Sequence, residues 1–180
     1  MNTRQIAYVG VSVALLAVSA WVTLPIGPVP FTLQTLALAM LPAALDRAGA
    51  CVSVAVYLLL GAIGLPVFSG FSGGIASIFG PTGGFLWGFL IGMLAATTVK
   101  ELLPAQLPLL ARTLVADAVL LLISYACGTF QLMVIGSMDV AAALLVAVVP
   151  FVIPDVVKLV VGAQVGCAVA RAAGRVSRHA

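Results

Sequence analysis

Charged residues are scarce in this sequence, and the short motifs of several enzyme classes are missing from it. Only 7% of its 180 residues are charged, whereas about a quarter are charged in ordinary soluble domains. It contains no Walker A, HExxH or GxSxG sequence, so neither ATP hydrolysis nor zinc chemistry is expected. Its cations are scattered rather than clustered, which argues against nucleic-acid binding despite a net charge of +3. We therefore expect a protein that is not an enzyme and that has no metal and no cofactor.

Cysteines are also few, and they are isolated from one another. Cys51, Cys127 and Cys167 lie singly within apolar runs, without the spacing of metal ligands. We therefore expect them to act as small buried apolar residues.

Hydrophobic residues are abundant instead. They make up 63% of the chain, and the mean hydropathy is +1.28, which is more apolar surface than a soluble core could bury. The alternation typical of membrane β-strands is absent, and 180 residues allow about six spanning helices of about 20 residues each. The sequence therefore predicts an all-α membrane protein with six transmembrane helices in a single integral membrane domain, residues 1–180.

Prolines and other breakers divide the apolar runs into spans. The predicted spans are Ile6–Leu24, Thr32–Leu45, Ala48–Gly64, Pro81–Val99, Leu110–Gly128 or slightly beyond, and Phe151–Ala170. One helix from Val140 to Ala170 would measure about 46 Å against a hydrocarbon core of about 30 Å. Because Pro150 and Pro154 mark a break in this run, we expect a separate short helix at Val140–Val148 before the sixth span.

The distribution of cations predicts the orientation. If the N-terminus is cytoplasmic, the cations of the loops and tails all fall on the cytoplasmic side: Arg4, Arg47, Lys100, Arg112, Arg171, Arg175 and Arg178. The opposite loops, Pro25–Phe31, Leu65–Gly80 and Thr129–Asp139, carry no cation. This arrangement satisfies the positive-inside rule and predicts that both termini are cytoplasmic.

Asp155 and Lys158 form an oppositely charged pair inside the apolar run FVIPDVVKLVVGAQVG. A charged side chain at the centre of a bilayer costs about 2.5–3.5 kcal/mol, so such residues usually face a protein interior or a site. Residues three apart share one face of a helix. The pair is therefore expected near the outer end of the sixth span, where the two charges hold either each other or a ligand.

The outer segment LPVFSGFSGGIASIFGPTGGF resembles the wall of a small-molecule pocket. It has no charge, many glycines, and the aromatic residues Phe68, Phe71, Phe79 and Phe85, with Ser69, Ser72, Ser77 and Thr82 as polar candidates. An apolar pocket with a few polar groups is typical of small-ligand sites. The alternative is a structural loop that packs its own phenylalanines.

Polar residues of the second and third spans are further candidates for the same cavity. Thr32 is a possible N-cap of the second span, and Gln34 places an amide just inside it. A buried amide needs a partner, which is either a neighbouring backbone group or a ligand. Tyr57 lies on the slightly polar face of the third span, where it forms a packed wall or contacts the ligand.

Small residues on two spans predict close helix contacts. Ala7, Gly10, Ala14 and Ala17 share one side of the first span, and Gly84, Gly88 and Gly92 recur every four residues in the fourth. Small residues let helix backbones approach closely in lipid. Each face serves either packing within the bundle or a membrane partner.

Asp117 is a second intramembrane acid. With Arg112 and Lys100 expected nearby, it is either a carboxylate that snorkels or is paired structurally, or a proton relay. A small proton-coupled transporter or channel using Asp117 and Asp155 is therefore an alternative function, and a purely structural membrane subunit is another.

Four motifs together resemble the BioY family, the biotin-binding S component of energy-coupling-factor (ECF) vitamin transporters. They are VPFTLQTLA at Val29–Ala37, YLLLGAIGLPVFSG at Tyr57–Gly70, GPTGGF at Gly80–Phe85 and PFVIPDVVK at Pro150–Lys158. The resemblance covers nearly the whole chain, and the motifs are specific in combination.

The resemblance implies the ECF S-component fold and high-affinity capture of biotin from outside a bacterial cell, in its inner membrane. It also implies a transmembrane T subunit and cytoplasmic ATPase subunits as partners. The residues matching Asp155 and Lys158 contact the ligand in that family, together with a polar loop residue that corresponds to Ser77. The expected site therefore comprises Asp155, Lys158, Ser77, Gln34, Thr32, Tyr57, Phe68, Thr82 and Phe85, and the expected T-subunit surface comprises Ala7, Gly10, Ala14 and Ala17.

Overall fold

The computed structural model describes residues 3–25 and 27–174, and these residues form a helical bundle with eight α-helices. The helices are α1 Thr3–Trp21, α2 Gln34–Ala44, α3 Arg47–Ala62, α4 Ile75–Phe79, α5 Gly83–Leu102, α6 Leu109–Gly136, α7 Val140–Ala147 and α8 Val152–Ala172. Two short antiparallel strands, β1 Thr23–Leu24 and β2 Phe31–Thr32, pair between α1 and α2. Arg175 and Arg178, predicted to be cytoplasmic, lie outside the described residues.

Four helices, α1, α5, α6 and α8, are long and apolar enough to cross a membrane. The helices α2 and α3 are apolar but shorter, at 11 and 16 residues. At 1.5 Å per residue, α2 is only about 16 Å long, roughly half of a hydrocarbon core. A multi-pass helical membrane architecture is therefore confirmed, whereas the count of six spans stays a prediction.

Several helix boundaries differ from the sequence prediction, and two of the differences have a clear structural cause. The fourth predicted span, α5, begins at Gly83 rather than at Pro81, because residues 80–83 form a turn in which the Gly83 N–H donates to the Gly80 carbonyl at 3.0 Å. The fifth, α6, continues to Gly136 and ends where Ser137 adopts a left-handed conformation with φ of 50°. The separate helix predicted before the sixth span is confirmed as α7, whose first turn Asp139 caps by accepting from the Ala142 N–H.

Glycines allow two pairs of helices to approach closely. On α5, a Cβ at Gly88 would lie 2.7 Å from the Cα of Ser124 on α6. On α8, a Cβ at Gly162 would lie 2.5 Å from the Leu36 carbonyl of α2. Such contacts are possible only without a side chain. The glycine face of the fourth predicted span therefore serves packing within the bundle, and α8 is held directly against α2.

The small-residue face of α1 is different because most of it is open. Ala7, Gly10 and Ala14 are exposed, whereas Ala17 is buried. A Cβ at Gly10 would meet no atom within 4 Å. Packing within the described bundle therefore does not account for three of these four small residues.

Cations at one end of the bundle bind the C-terminal carbonyl groups of helices. Arg4 donates to the Ala173 carbonyl at the end of α8, at 3.1 Å. Lys100 donates to the Pro42 carbonyl near the end of α2, and Arg112 donates to the Lys100 carbonyl near the end of α5, at 2.7 Å. These last carbonyls have no partner within their own helix, and a cation also complements the helix dipole there. This end of the bundle, called the cationic end below, lies opposite the first turn of α8.

Candidate functional site

A cavity of about 160 Å³ lies at the end of the bundle opposite the cationic end, between the loops at that end and the first turns of α2 and α8. Eight of the nine residues predicted for the site line it: Asp155, Lys158, Ser77, Gln34, Thr32, Phe68, Thr82 and Phe85. Its wall combines aromatic and aliphatic side chains with polar ones, a mixture that suits a small ligand with both apolar and polar parts. The close packing of α8 on α2 brings the residues of these two helices together.

The carboxylate of Asp155 is held from three directions. Its Oδ1 accepts a hydrogen bond from the hydroxyl of Thr35 at 2.9 Å, and its Oδ2 accepts one from the hydroxyl of Tyr125 at 2.7 Å. The ammonium of Lys158 lies 2.5 Å from Oδ1. The side chain is only 5% exposed. Since buried charges are tolerated only when paired and hydrogen-bonded, these contacts explain why an acid is stable in this apolar helix.

Lys158 has two further partners besides Asp155. Its Nζ donates to the Thr32 carbonyl at 2.9 Å and lies 4.0 Å from the ring centroid of Phe31. An ammonium above an aromatic face is attracted by the ring quadrupole. The cation is therefore fixed between α8 and the β1–β2 hairpin.

The two charged groups retain one unused donor and one unused acceptor position. A carboxylate offers about four lone-pair positions, and three of those on Asp155 are occupied by the contacts above. An ammonium has three N–H donors, and those of Lys158 that reach Asp155 and Thr32 leave one. Both residues line the cavity. The pair can therefore accept one N–H and donate to one oxygen of a single ligand.

The predicted residues Thr32 of β2, Gln34 of α2 and Tyr57 of α3 form a hydrogen-bonded chain behind this pair. Thr32 does not cap α2 as predicted, because the N-cap position is Leu33; its hydroxyl instead accepts from the Gln34 backbone N–H at 3.3 Å and donates to the Gln34 side-chain oxygen at 3.2 Å. The Gln34 amide donates to the Tyr57 hydroxyl at 2.7 Å, and Tyr57 donates to the Val67 carbonyl at 3.1 Å. Tyr57 is fully buried and lies behind Gln34 rather than on the cavity wall.

The four phenylalanines of the glycine-rich loop divide into two groups. Phe68 and Phe85 line the cavity. Phe71 stacks on Trp21 with ring centroids 5.1 Å apart, and Phe79 is tilted against Trp87 at 6.3 Å. Two of the rings therefore belong to the wall of the pocket, whereas the other two pack against tryptophans and have a structural role.

The site also contains residues that were not predicted from the sequence, among them Thr35, Tyr125 and Phe151. Thr35 and Tyr125 hold Asp155, and Phe151 lines the cavity beside Phe31, with ring centroids 6.2 Å apart. A tyrosine in an apolar run requires a partner for its hydroxyl, which is a usable signal. The partner of Tyr125 could not be chosen, because the register between α6 and α8 is not visible in the sequence.

Asp117 lies apart from the cavity, and its pairing differs from the prediction. It is fully buried, and within the described chain neither of its oxygens has a hydrogen-bond partner. Arg112 and Lys100, the proposed partners, donate to the Lys100 and Pro42 carbonyls. Only an electrostatic interaction links Asp117 to Lys100. Over the described residues, there is also no group of histidines, cysteines and carboxylates that could hold a metal ion.

Comparison with known proteins assigns the chain to a family. A family model described as the BioY family matches residues 1–175. The biotin transporter BioY of Thermotoga maritima is 41% identical over 148 residues, which cover 82% of this chain and 85% of that protein. The biotin transporter BioY2 of Lactococcus lactis is 36% identical over 83% of this chain and 82% of that protein. A crystal structure of the S-component for biotin from an ECF-type ABC transporter has the same fold, with a TM-score of 0.86 and 23% identity over 95% of each chain. This chain therefore belongs to the BioY family.

Proposed function

We propose that this chain is the substrate-binding subunit of an ECF-type transporter and that its substrate is biotin. It is a transport protein and not an enzyme. The observation that carries the proposal is the buried Asp155–Lys158 pair, which lines a cavity with aromatic walls and offers one acceptor beside one donor. Its relatives named as biotin transporters and its S-component fold support the same function.

The ureido ring of biotin complements the charged pair. This ring carries N–H donors next to a carbonyl oxygen. In our proposal, the free acceptor position of Asp155 accepts a hydrogen bond from a ureido N–H, and the remaining N–H of Lys158 donates to the ureido carbonyl oxygen or to an anionic oxygen of the ligand. Both contacts are charge-assisted hydrogen bonds made by side chains that are almost fully buried, which favours tight binding.

The remaining predicted residues take supporting roles in this proposal. Phe68 and Phe85 pack against the fused rings, and Ser77, Thr82, Thr32 and Gln34 supply polar contacts along the wall. Tyr57 acts indirectly, because it fixes the Gln34 amide and the Val67 carbonyl.

The arrangement in the membrane follows from the same proposal. The cationic end faces the cytoplasm, which places both termini there and opens the cavity outward. The six apolar helices α1, α2, α3, α5, α6 and α8 are the six spans in the bacterial inner membrane. A transmembrane T subunit and cytoplasmic ATPase subunits complete the complex, and the exposed Ala7, Gly10 and Ala14 of α1, next to Ala17, form the surface for the T subunit.

The test is biotin affinity, measured by calorimetry on purified protein in detergent. Asp155→Asn and Lys158→Ala each remove one ligand contact and leave the partner charge buried, so each is expected to weaken binding by at least about tenfold. Asp139→Asn is the matched control, because it changes an acid that only caps α7. Unchanged affinity in both cavity variants would refute the site assignment.

A further inference from the structure

Two of the phenylalanine rings that line the cavity, Phe68 and Phe85, each rest on a glycine of a neighbouring helix. Phe68 of the outer loop lies against Gly61 of α3, where an added Cβ would fall inside the ring's van der Waals radius. Phe85 of α5 lies against Gly128 of α6, where an added Cβ would be 2.5 Å from the ring. Real Cβ atoms do not approach other atoms this closely. Each ring therefore occupies a space that exists only because its neighbour has no side chain.

The other contacts of these rings restrict the direction in which they could move. Phe68 is 2% exposed and packs edge-on against Tyr57 with centroids 5.4 Å apart. Its backbone N–H is bonded to the Ser72 carbonyl at 3.0 Å. Phe85 is anchored at the start of α5, which packs tightly on α6 through Gly84 and Gly88. The cavity is the open space beside both rings, so a ring displaced from its glycine would move into it.

We propose that Gly61 and Gly128 are positioning residues that set the width of the cavity for the fused rings of biotin, by holding Phe68 and Phe85 back from it. This inference rests on the function proposed above. Neither glycine contacts the ligand; each acts through the phenylalanine that it seats. A methyl group at either position moves a ring toward the ligand and narrows the cavity.

The first measurement compares alanine variants in the biotin-binding assay. Gly128→Ala and Gly61→Ala are each expected to lower the affinity roughly tenfold or more, since overpacking at a well-packed site is costly. Gly136→Ala is the matched control on α6, because the nearest atoms to a Cβ there belong to the Met138 and Leu132 side chains, at ordinary distances of 3.5 to 3.8 Å. Its affinity is expected to equal that of the unchanged protein.

Replacing the phenylalanine by the smaller leucine distinguishes a narrowed cavity from a general loss of folding. Phe85→Leu leaves room for a methyl group at position 128, so adding Gly128→Ala to Phe85→Leu should change the affinity less than twofold. Phe68→Leu should likewise suppress the effect of Gly61→Ala. The second pair lies on a different helix and keeps the test decisive if one alanine variant does not fold.

Two results would overturn the inference. One is unchanged affinity in both single alanine variants, and the other is a loss of the same size with and without the leucine substitutions. Failure of the unchanged protein to bind biotin would instead refute the proposed function, so the two failures are distinguishable.

Discussion

Tyr125 is expected to position Asp155, and Tyr125→Phe tests this role with a minimal change. The substitution keeps the ring and removes only the hydroxyl that donates to Asp155 Oδ2 at 2.7 Å. Asp155 then keeps Thr35 and Lys158 on Oδ1, but Oδ2 has no protein donor among the contacts described. The carboxylate is therefore free to rotate away from the orientation that accepts a ligand N–H.

The expected size of the effect follows from the type of hydrogen bond that is removed. A hydrogen bond to a charged group contributes about 1.5–3 kcal/mol, which corresponds to roughly tenfold to hundredfold in affinity. Part of this loss is shared by the empty and the loaded protein, because Tyr125 bonds Asp155 without a ligand. The expected loss of biotin affinity is therefore about tenfold, at the lower end of this range.

The assay is calorimetry with a double-mutant cycle. Tyr125→Phe is measured alone and in combination with Asp155→Asn, and the second effect should be smaller because the carboxylate is already gone. Tyr8→Phe is the control, since that hydroxyl accepts from Arg4 at the far, cationic end. Equal effects of Tyr125→Phe in both backgrounds, or no effect in either, would refute the positioning role.

Three further predictions concern packing, assembly and Asp117. Gly88→Ala should lower the melting temperature by several degrees, because its Cβ would meet the Ser124 backbone. Gly10→Ala is the control and should not change it, so equal melting temperatures of the two variants would contradict the α5–α6 contact. Ala14→Leu should prevent co-purification of the T subunit while biotin affinity stays unchanged, and assembly that survives would exclude this face. Asp117→Asn should bind biotin with the affinity of the unchanged chain. Lipid vesicles that contain the chain alone should bind biotin without accumulating it, and proton-driven accumulation would favour the alternative of a proton-coupled transporter.

Much of the fold was predictable because it depends on local patterns. Apolar runs and prolines located most of the helices, and the break before α8 followed from comparing helix length with membrane thickness. The first residue of α5 and the last residue of α6 were not predicted correctly. They depend on a turn at residues 80–83 and on the conformation of Ser137, which hydropathy does not encode.

The site was predictable to the extent that its residues lie in unusual sequence contexts. Asp155 and Lys158 stood out because charge is rare in an apolar helix, and the glycine-rich loop supplied Phe68 and Phe85. Tyr125 and Thr35 were missed, because an ordinary tyrosine or threonine becomes part of a site only through the helix register that brings it to Asp155. The contacts of Gly61 with Phe68 and of Gly128 with Phe85 could not be predicted for the same reason.

The central claim is that the charged pair and its cavity bind biotin, and direct titration of the purified chain with biotin tests it best. We predict saturable binding of one biotin per chain in the absence of any partner subunit, and a loss of at least about tenfold in Asp155→Asn. No binding by the unchanged chain would contradict the account, and so would binding by Asp155→Asn and Lys158→Ala that is as tight as that of the unchanged chain.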